Sequence, residues 1–249
     1  MNTEWSGRHH DKDQLRSEVW SSLKQNNASI GDPFDHIPNF FCAQKAAKLL
    51  GQLPIWQQAT AIKCNPDSPQ IPVRLRALQD GKRLYMAVPR LTDSRCFVEL
   101  TAEDLHSRNI PLAEAAIAKT AVKCGRLVSF AEMQPIDLVI VGCVAVTRHG
   151  GRTGKGAGFA DLELAMLAEF GLVKADTPIV TTVHPLQIVA DSRLPMQPHD
   201  WALDWVVTPD EVIATNTVYP RPMGLDWEEL RSEQLEKIPI LRKLQDKLI

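Results

Sequence analysis

The sequence contains little glycine and no long hydrophobic run. Glycine accounts for 13 of the 249 residues, about 5%, against roughly 7% in average proteins. The longest apolar run covers residues 138–146, far fewer than the ~20 residues that cross a bilayer. The composition therefore argues against a membrane-spanning segment, and the run predicts a buried strand.

The chain also lacks paired cysteines and a strong charge of either sign. Its five cysteines form no C-x-x-C pair, which argues against a disulfide framework and a zinc site and favours a reducing, cytoplasmic compartment. Acidic residues near the start, such as Glu4 and Asp11, are atypical of a targeting peptide. The formal net charge of −2 argues against a nucleic-acid partner, which needs clustered basic surface.

Strand and helix signals alternate along the chain. Predicted strands cover residues 59–63, 84–88, 138–146, 179–183 and 205–207. A first predicted helix opens at residue 11 and carries Leu15, Val19 and Leu23 on its core face, and further helices are predicted over residues 39–50, 73–78, 113–122 and 162–170. This alternation predicts a three-layer, Rossmann-like α/β fold, in which an open, mostly parallel sheet carries helices on both faces.

We expect a single domain over residues 1–249. Residues 1–10 are expected to be disordered or extended. A C-terminal helical segment is expected over residues 226–249, opened by the capping-box spacing of Asp226 and Glu229.

Five of the 13 glycines lie between Gly150 and Gly158, directly after the clearest predicted strand. Glycines allow backbone N–H groups to surround an anion, and the N-terminus of the following helix adds partial positive charge. The segment between Asp137 and Asp161 contains no acidic residue. Its basic side chains are Arg148, His149, Arg152 and Lys155. Phosphate is the ligand that this loop suits best, and a flexible surface turn is the alternative.

The loop does not match the common nucleotide-binding patterns. A Walker A motif would need glycine at His149 and serine or threonine at Gly156. A dinucleotide G-x-G-x-x-G motif starting at Gly154 would place Phe159 at its last glycine. Neither a P-loop nor a Rossmann fingerprint is therefore predicted.

Two aspartates are candidates for a metal site. Asp161 lies in the first turn of the helix after the loop, and Asp200 precedes a predicted strand. Mg²⁺ binds one or two carboxylates together with phosphate oxygens, although either aspartate could equally be a cap. Lys12 and Arg16 share one face of the first helix, and by themselves they indicate only a solvated charged face.

Residues 150–161 resemble the G-x-R-x-G-x-G-x-G-Y-Y-D motif of the 5-formyltetrahydrofolate cyclo-ligase family. Lys12 and Arg16 match the K-x-x-x-R helix of that family, and Asp200 matches its late acidic motif. The resemblance covers roughly residues 11–215. It is strongest to the divergent branch of methenyltetrahydrofolate synthetase domain-containing proteins, whose animal members carry an added RNA-recognition module.

The resemblance implies a NagB/RpiA/CoA transferase-like fold and an enzyme that uses ATP and Mg²⁺. In the implied reaction, the formyl oxygen of 5-formyltetrahydrofolate attacks the γ-phosphoryl group. The folate N10 nitrogen then attacks the formyl carbon and phosphate leaves. The products are 5,10-methenyltetrahydrofolate, ADP and phosphate.

The same resemblance assigns the site residues. Those placed against ATP are Lys12, Arg16, Gly151, Arg152, Thr153, Gly154, Lys155, Gly156, Ala157, Gly158, Phe159 and Ala160. Those placed against the substrate are Lys155, Gly156, Ala157, Gly158, Phe159 and Asp67. Lys155 and Arg152 are the expected catalytic residues, and Asp161 and Asp200 are the expected Mg²⁺ ligands.

The folate half of the site departs from the family pattern. Phe159 and Ala160 replace two tyrosines, and Asp67 is the acidic residue where the family has a folate-binding glutamate. Three functions therefore stay open. The first is a cyclo-ligase, the second a MgATP-binding paralogue with a suspected link to thiamine metabolism, and the third a non-catalytic or RNA-associated module. The expected assembly is a monomer or homodimer with a small-molecule substrate.

Overall fold

The structure is a computed structural model that describes residues 9–88, 95–228, 230 and 232–248. Its strands are β1 Ala61–Cys64, β2 Arg83–Ala87, β3 Phe97–Leu100, β4 Arg126–Val128, β5 Leu138–Ile140, β6 Ala145–Thr147, β7 Arg152–Thr153, β8 Ile179–Thr182, β9 Ile188–Val189, β10 Trp205–Val207 and β11 Val212–Ala214. Its α-helices are α1 His10–Gln25, α2 Ala43–Leu50, α3 Pro54–Gln58, α4 Ile71–Gln79, α5 Ala102–Ser107, α6 Leu112–Ala115, α7 Ala118–Cys124, α8 Phe159–Glu169, α9 Ser232–Lys237 and α10 Pro239–Leu248.

The main sheet has eight strands in the order β11-β10-β8-β5-β1-β2-β3-β4. The central strands from β10 to β2 pair in parallel, whereas β11, β3 and β4 pair antiparallel with their neighbours at the two edges. A second sheet of three strands has the order β7-β6-β9. The predicted mostly parallel α/β fold is confirmed.

Both faces of the main sheet are covered, because successive side chains in a strand point to opposite faces. Tyr85 packs into a cluster that includes residues of α8 and α10. Its neighbours Leu84 and Met86 pack into a cluster with α2, α4 and α7. The molecule therefore has the three layers expected from the sequence, while the single-domain assignment stays a prediction.

The prediction of one strand over residues 138–146 is wrong. The run divides into β5 in the main sheet and β6 in the small sheet. Between them, Gly142 packs so closely that a Cβ there would lie 2.9 Å from Asp67 Oδ2 and 3.1 Å from Gln70 Oε1. Both halves are buried, so the apolar run gave no signal of the division.

Several helix boundaries also differ from expectation. The helix predicted from residue 39 begins at Ala43, because Cys42 adopts a left-handed conformation with φ of 65°. The helix predicted over residues 113–122 is two helices, α6 and α7. Residue 10 belongs to α1 rather than to an extended segment, and residues 1–8 lie outside the described residues.

The C-terminal helical segment begins later than expected. Asp226 accepts a hydrogen bond from the backbone of Glu228 at 3.2 Å within a turn, and α9 begins only at Ser232. Glu229, the second member of the predicted capping box, lies outside the described residues. The local side chain-to-backbone bond of Asp226 thus stabilises a turn in place of the first helical turn.

The sequence predicts neither a membrane-spanning segment nor a disulfide framework. No helix in the described part of the chain is long and apolar enough to span a membrane. The five cysteines form no disulfide, and four of them are buried. Cys42, the fifth, is exposed.

Gly125 provides a test of the packing between α7 and the sheet. A Cβ at this position would lie 2.1 Å from Val98 Cγ1 and 2.9 Å from the backbone oxygen of Glu99. We expect Gly125→Ala to lower the free energy of unfolding by about 1–3 kcal/mol, the usual cost of overpacking. Urea denaturation measures the change.

The control is Gly154→Ala, since a Cβ at Gly154 would meet no atom within 4 Å. Its free energy of unfolding should change by no more than about 0.5 kcal/mol. Equal stability of the two variants would contradict the described packing of Gly125.

Candidate functional site

A cleft of about 830 Å³ opens where strands of the main sheet end. Residues 65–67 follow β1, Val88 follows β2, and Gly142 follows β5, and all of them line the cleft. The carboxyl ends of parallel strands are the usual ligand-binding edge of an open α/β sheet. Residues of α1 and the glycine loop, together with residues 224–226, 230 and 234, line other parts of the wall.

The glycine loop connects β7 to α8 and borders the cleft from Arg152 to Glu163. Gly156 and Gly158 have φ angles of 99° and 69°, in the left-handed region that other residues rarely adopt. Gly158 is the N-cap of α8, so the positive end of that helix borders the cleft. This geometry suits an anion.

Gly151 differs from the other predicted loop residues. It does not line the cleft, and its backbone N–H donates to Thr147 Oγ1 at 3.0 Å. The other sequence-predicted site residues all line the same cleft.

The two basic residues of α1 are buried rather than solvated. Lys12 is 8% exposed and Arg16 only 2%. Lys12 forms an ion pair with Asp200, and Arg16 donates to Thr153 Oγ1 at 2.6 Å and to Asp13 Oδ1 at 2.5 Å. The interpretation of these residues as a solvated face is therefore wrong, since Arg16 joins the first helix to the glycine loop and Lys12 joins it to the segment before β10.

Arg152 lies at the centre of the charged end of the cleft. Its Nε donates to the backbone oxygen of Trp201 at 2.6 Å, and its guanidinium pairs with Asp161. Asp161 Oδ1 also accepts the backbone N–H of Trp201 at 2.9 Å. Burial alone would lower the pKa of Arg152, but the negative charges of Asp161 and Asp200 outweigh burial and raise it above its ordinary value. Arg152 therefore stays charged, with both predicted metal ligands close to it.

Asp67 and Lys155 form a second charged group in the cleft. Lys155 Nζ lies 3.4 Å from Asp67 Oδ1, and the lysine side chain is 47% exposed. The loop that carries Asp67 is held by the fully buried Arg74, which donates to the backbone oxygens of Asn65 and Asp67 at 2.5 and 3.0 Å. Arg74 thus holds the backbone of Asp67 in place, whereas the side chain of Lys155 is half-exposed.

The sequence interpretation missed a buried ion pair beside these residues. Lys63 Nζ lies 2.6 Å from Glu163 Oε1 and donates to Asn65 Oδ1 at 2.5 Å. Lys63 is fully buried, and Glu163, which lines the cleft, is 5% exposed. In the sequence, the signal for this ion pair was one charged residue, Lys63, inside an apolar strand and another, Glu163, inside an apolar helix.

An acidic and a histidine side chain outside the cleft serve the fold. Asp204 Oδ2 accepts the backbone N–H of Ile179 at 2.7 Å and pairs with Arg221. His184 Nδ1 accepts the backbone N–H of Leu186 at 3.2 Å, and burial lowers its pKa. His184 is thus a structural histidine.

The described residues contain no cluster of three or more His, Cys, Asp or Glu side chains that could hold a metal ion. Asp161 and Asp200 are the two carboxylates at the charged end of the cleft that could hold a cation. A carboxylate pair of this kind fits Mg²⁺, which keeps most of its ligands as water and phosphate oxygens.

Comparison with known proteins identifies the family. The model of the 5-formyltetrahydrofolate cyclo-ligase family matches residues 8–209. Methenyltetrahydrofolate synthase domain-containing proteins of Bos taurus and Homo sapiens are 37% and 36% identical over 94% of this chain. The chain spans 62% and 61% of the length of these two relatives.

More distant proteins are similar to this chain in sequence or in structure. A probable 5-formyltetrahydrofolate cyclo-ligase of Schizosaccharomyces pombe is 25% identical over 77% of this chain and 98% of its own length. The NMR structure of a 5,10-methenyltetrahydrofolate synthetase from Aquifex aeolicus has a TM-score of 0.52 at 16% identity. It covers 88% of this chain and 99% of its own. The family match over residues 8–209 shows that the chain belongs to the 5-formyltetrahydrofolate cyclo-ligase family.

Proposed function

We propose that the chain is a Mg²⁺- and ATP-dependent cyclo-ligase that converts 5-formyltetrahydrofolate to 5,10-methenyltetrahydrofolate. The observation that carries the proposal is the set of cation–carboxylate pairs along one cleft, Lys12–Asp200, Arg152–Asp161 and Lys155–Asp67. They surround a glycine loop that leads into the N-terminus of α8. Membership of the family supports the same reaction.

The paired charges favour a metal–phosphate complex over either ion alone. A phosphate group that approaches Lys12 or Arg152 also approaches the carboxylate of Asp200 or Asp161. When Mg²⁺ is bound, it neutralises phosphate charge, and Asp161 and Asp200 are the residues that would hold it. The lysine and arginine side chains are then available to the phosphate oxygens.

The proposed reaction needs positioning more than a protein nucleophile. In phosphoryl transfer, catalysis comes chiefly from alignment and from stabilisation of the developing charge. Arg152 is fixed by Trp201 and Asp161, so it supplies a preorganised charge. Lys155 is half-exposed and supplies a mobile one that we place against the transferred phosphoryl group.

A specific observation favours the second candidate, a MgATP-binding paralogue that acts on another small molecule. Phe159 and Ala160 both line the cleft where the family motif has tyrosines, so two hydroxyl groups are missing from the wall. A site that lacks hydrogen-bonding groups binds the corresponding polar substrate less well. The RNA-associated alternative, the monomeric or homodimeric state and the cytoplasmic location stay predictions.

The cyclo-ligase proposal predicts ATP-dependent product formation. Purified chain mixed with 5-formyltetrahydrofolate, ATP and Mg²⁺ should form 5,10-methenyltetrahydrofolate, measured by its ultraviolet absorbance. Parallel reactions without ATP, or with EDTA, should give none. MgATP binding without any methenyl product would favour the paralogue, and absence of MgATP binding would contradict both enzyme functions.

Lys155 tests the phosphate assignment of the loop. We expect Lys155→Met to raise the dissociation constant of MgATP about tenfold or more, since a charge-assisted hydrogen bond contributes about 1.5–3 kcal/mol. The melting temperature should hardly change, because a solvent-exposed ion pair contributes little stability. Isothermal titration calorimetry measures the affinity.

The matched control is Lys24→Met on α1, whose side chain is 61% exposed and does not line the cleft. It should leave MgATP affinity unchanged. If Lys155→Met binds MgATP as tightly as this control, the phosphates do not lie against Lys155.

Substitution of Asp200 distinguishes a metal-binding role of this residue from a purely structural one. We expect Asp200→Asn to weaken MgATP binding, yet to strengthen binding of metal-free ATP in EDTA, because one carboxylate beside Lys12 no longer repels the phosphates. The two dissociation constants should therefore move in opposite directions. Asp32→Asn, at an exposed position outside the cleft, should move neither.

A purely structural role for Asp200 would shift both affinities in the same direction. That result would remove Asp200 from the proposed metal site.

A further inference from the structure

Part of the cleft is formed by residues that follow the family match, which ends at residue 209. Five residues beyond that point line the cleft, and we call them the C-terminal wall: Gly224, Leu225, Asp226, Leu230 and Gln234. The part of the chain that matches the family therefore accounts for only part of the cleft. A ligand that binds against the C-terminal wall is selected by residues that the family motifs do not include.

The C-terminal wall is attached to the fold from outside the cleft. The backbone N–H of Leu225 donates to Oε1 of Glu169, the last residue of α8, at 2.9 Å. A Cβ at Gly224 would overlap the same Glu169 carboxylate, so the chain and the helix end are in close contact there. Further along the chain, Ile238 and Leu241 are fully buried in the core. The wall therefore has a defined position beside α8.

Four partly exposed apolar side chains lie at this end of the cleft. Leu225 and Leu230 pack against the same hydrophobic core as Val88 and Phe159, and all four line the cleft. None of the four is completely buried, so apolar surface remains for a ligand. Removal of such surface from water is favourable in proportion to its area, and small-molecule sites are lined chiefly by apolar side chains. This end of the cleft thus suits the apolar faces of a ring.

The strand order separates the apolar end of the cleft from its charged end. In the main sheet β1 lies between β5 and β2, so Val88 after β2 lies two strand spacings, about 10 Å, from the end of β5. Arg152 belongs to β7, whose partner β6 follows β5 in the chain. Asp67, which pairs with Lys155, follows β1. A nucleotide whose phosphates lie against Arg152 and Lys155 therefore leaves the β2 side for a second molecule.

The charges around the cleft argue against an anion at the C-terminal wall. Asp226 is the only charged residue of the wall, and the lysines and arginines that line the cleft lie in α1 and in residues 152–155. An uncharged group is therefore the best match for this end. The cleft of about 830 Å³ is near the upper end of the range of about 300–1,000 Å³ for small-molecule sites, which leaves room for a second molecule beside a nucleotide.

We propose that Leu225 and Leu230, together with Val88 and Phe159, form a specificity-determining subsite for a flat, uncharged ring of the second substrate. The ring lies between apolar side chains, so shape rather than hydrogen bonding selects it at this end of the cleft. The inference rests on the proposed function, because that function supplies the nucleotide at the other end.

Substitutions in the C-terminal wall test the subsite. We expect Leu225→Ala and Leu230→Ala each to raise the dissociation constant of 5-formyltetrahydrofolate about fivefold or more, since each removes most of an apolar side chain from the pocket. The dissociation constant of MgATP should stay within about twofold. The matched control is Met223→Ala, at a side chain that is 98% exposed and does not line the cleft, and it should change neither affinity. Isothermal titration calorimetry measures both.

Hydrogen exchange in the unchanged protein gives a test that does not depend on how the variants fold. The backbone amide of Leu225 is bonded to Glu169, so it exchanges when the wall opens locally. A ligand that binds only the closed wall, present at about ten times its dissociation constant, should slow this exchange about tenfold. We expect that slowing with 5-formyltetrahydrofolate or with 5-formyltetrahydropterin, which has the ring without the tail, and less than twofold slowing with MgATP. Exchange detected by NMR resolves the single amide.

The outcomes separate this inference from the cyclo-ligase proposal. Weaker binding of 5-formyltetrahydrofolate by the two leucine variants, together with formation of the methenyl product, supports both. Protection of Leu225 by 5-formyltetrahydropterin without any methenyl product supports the inference alone. Folate turnover with the same KM in the leucine variants as in Met223→Ala overturns the inference and leaves the cyclo-ligase standing.

Two further results also overturn the inference. One is a loss of MgATP affinity in the leucine variants, because the adenine ring would then occupy the subsite. The other is an unchanged exchange rate of the Leu225 amide in the presence of either ring ligand.

Discussion

The ion pair between Arg152 and Asp161 is the interaction on which the cleft depends. The two residues stand at the two ends of the glycine loop, one in β7 and the other in the first turn of α8. Both also bond to the backbone of Trp201, so a single contact closes the loop and attaches it to a third segment. A buried guanidinium left without its carboxylate would be strongly destabilising. The ion pair therefore holds both ends of the loop in place, and only the glycines between them retain conformational freedom.

The same pairing gives the cleft its chemical selectivity. Lys12 of α1 and Asp200 form a second cation–carboxylate pair in the cleft. Lys155 of the glycine loop and Asp67 form a third. Cations alone would attract any anion, and carboxylates alone any cation. Alternating signs instead favour ligands that carry both, such as a nucleotide with its metal ion. The helix N-terminus adds to this selectivity without adding a titratable group.

The overall architecture was accessible from the sequence because hydrophobic periodicity reports which face of an element is buried. That signal reports only on residues near each other in the sequence. The wrong predictions occur where contacts between residues far apart in the sequence determine the structure. The run 138–146 is apolar throughout, yet it divides between two sheets on either side of Gly142, where a Cβ would crowd Asp67. Lys12 and Arg16 have the spacing of a solvated face, yet their partners Asp200 and Thr153 lie far along the chain. Periodicity carries no information about such partners.

The amino-acid sequence by itself determined the α/β class, the glycine loop and the residue types around it, because these depend on local spacing and composition. It also determined the family, through motifs that are contiguous in the chain. Only the tertiary structure decided that Lys63 and Glu163 are paired at the cleft wall, and that Gly151 lies outside the cleft. Lys63 and Glu163, like Arg152 and Asp161, come from different elements, and their pairing is set by the packing of helices on the sheet. Charge pairing across elements is a three-dimensional property, so it appears only when the chain is folded.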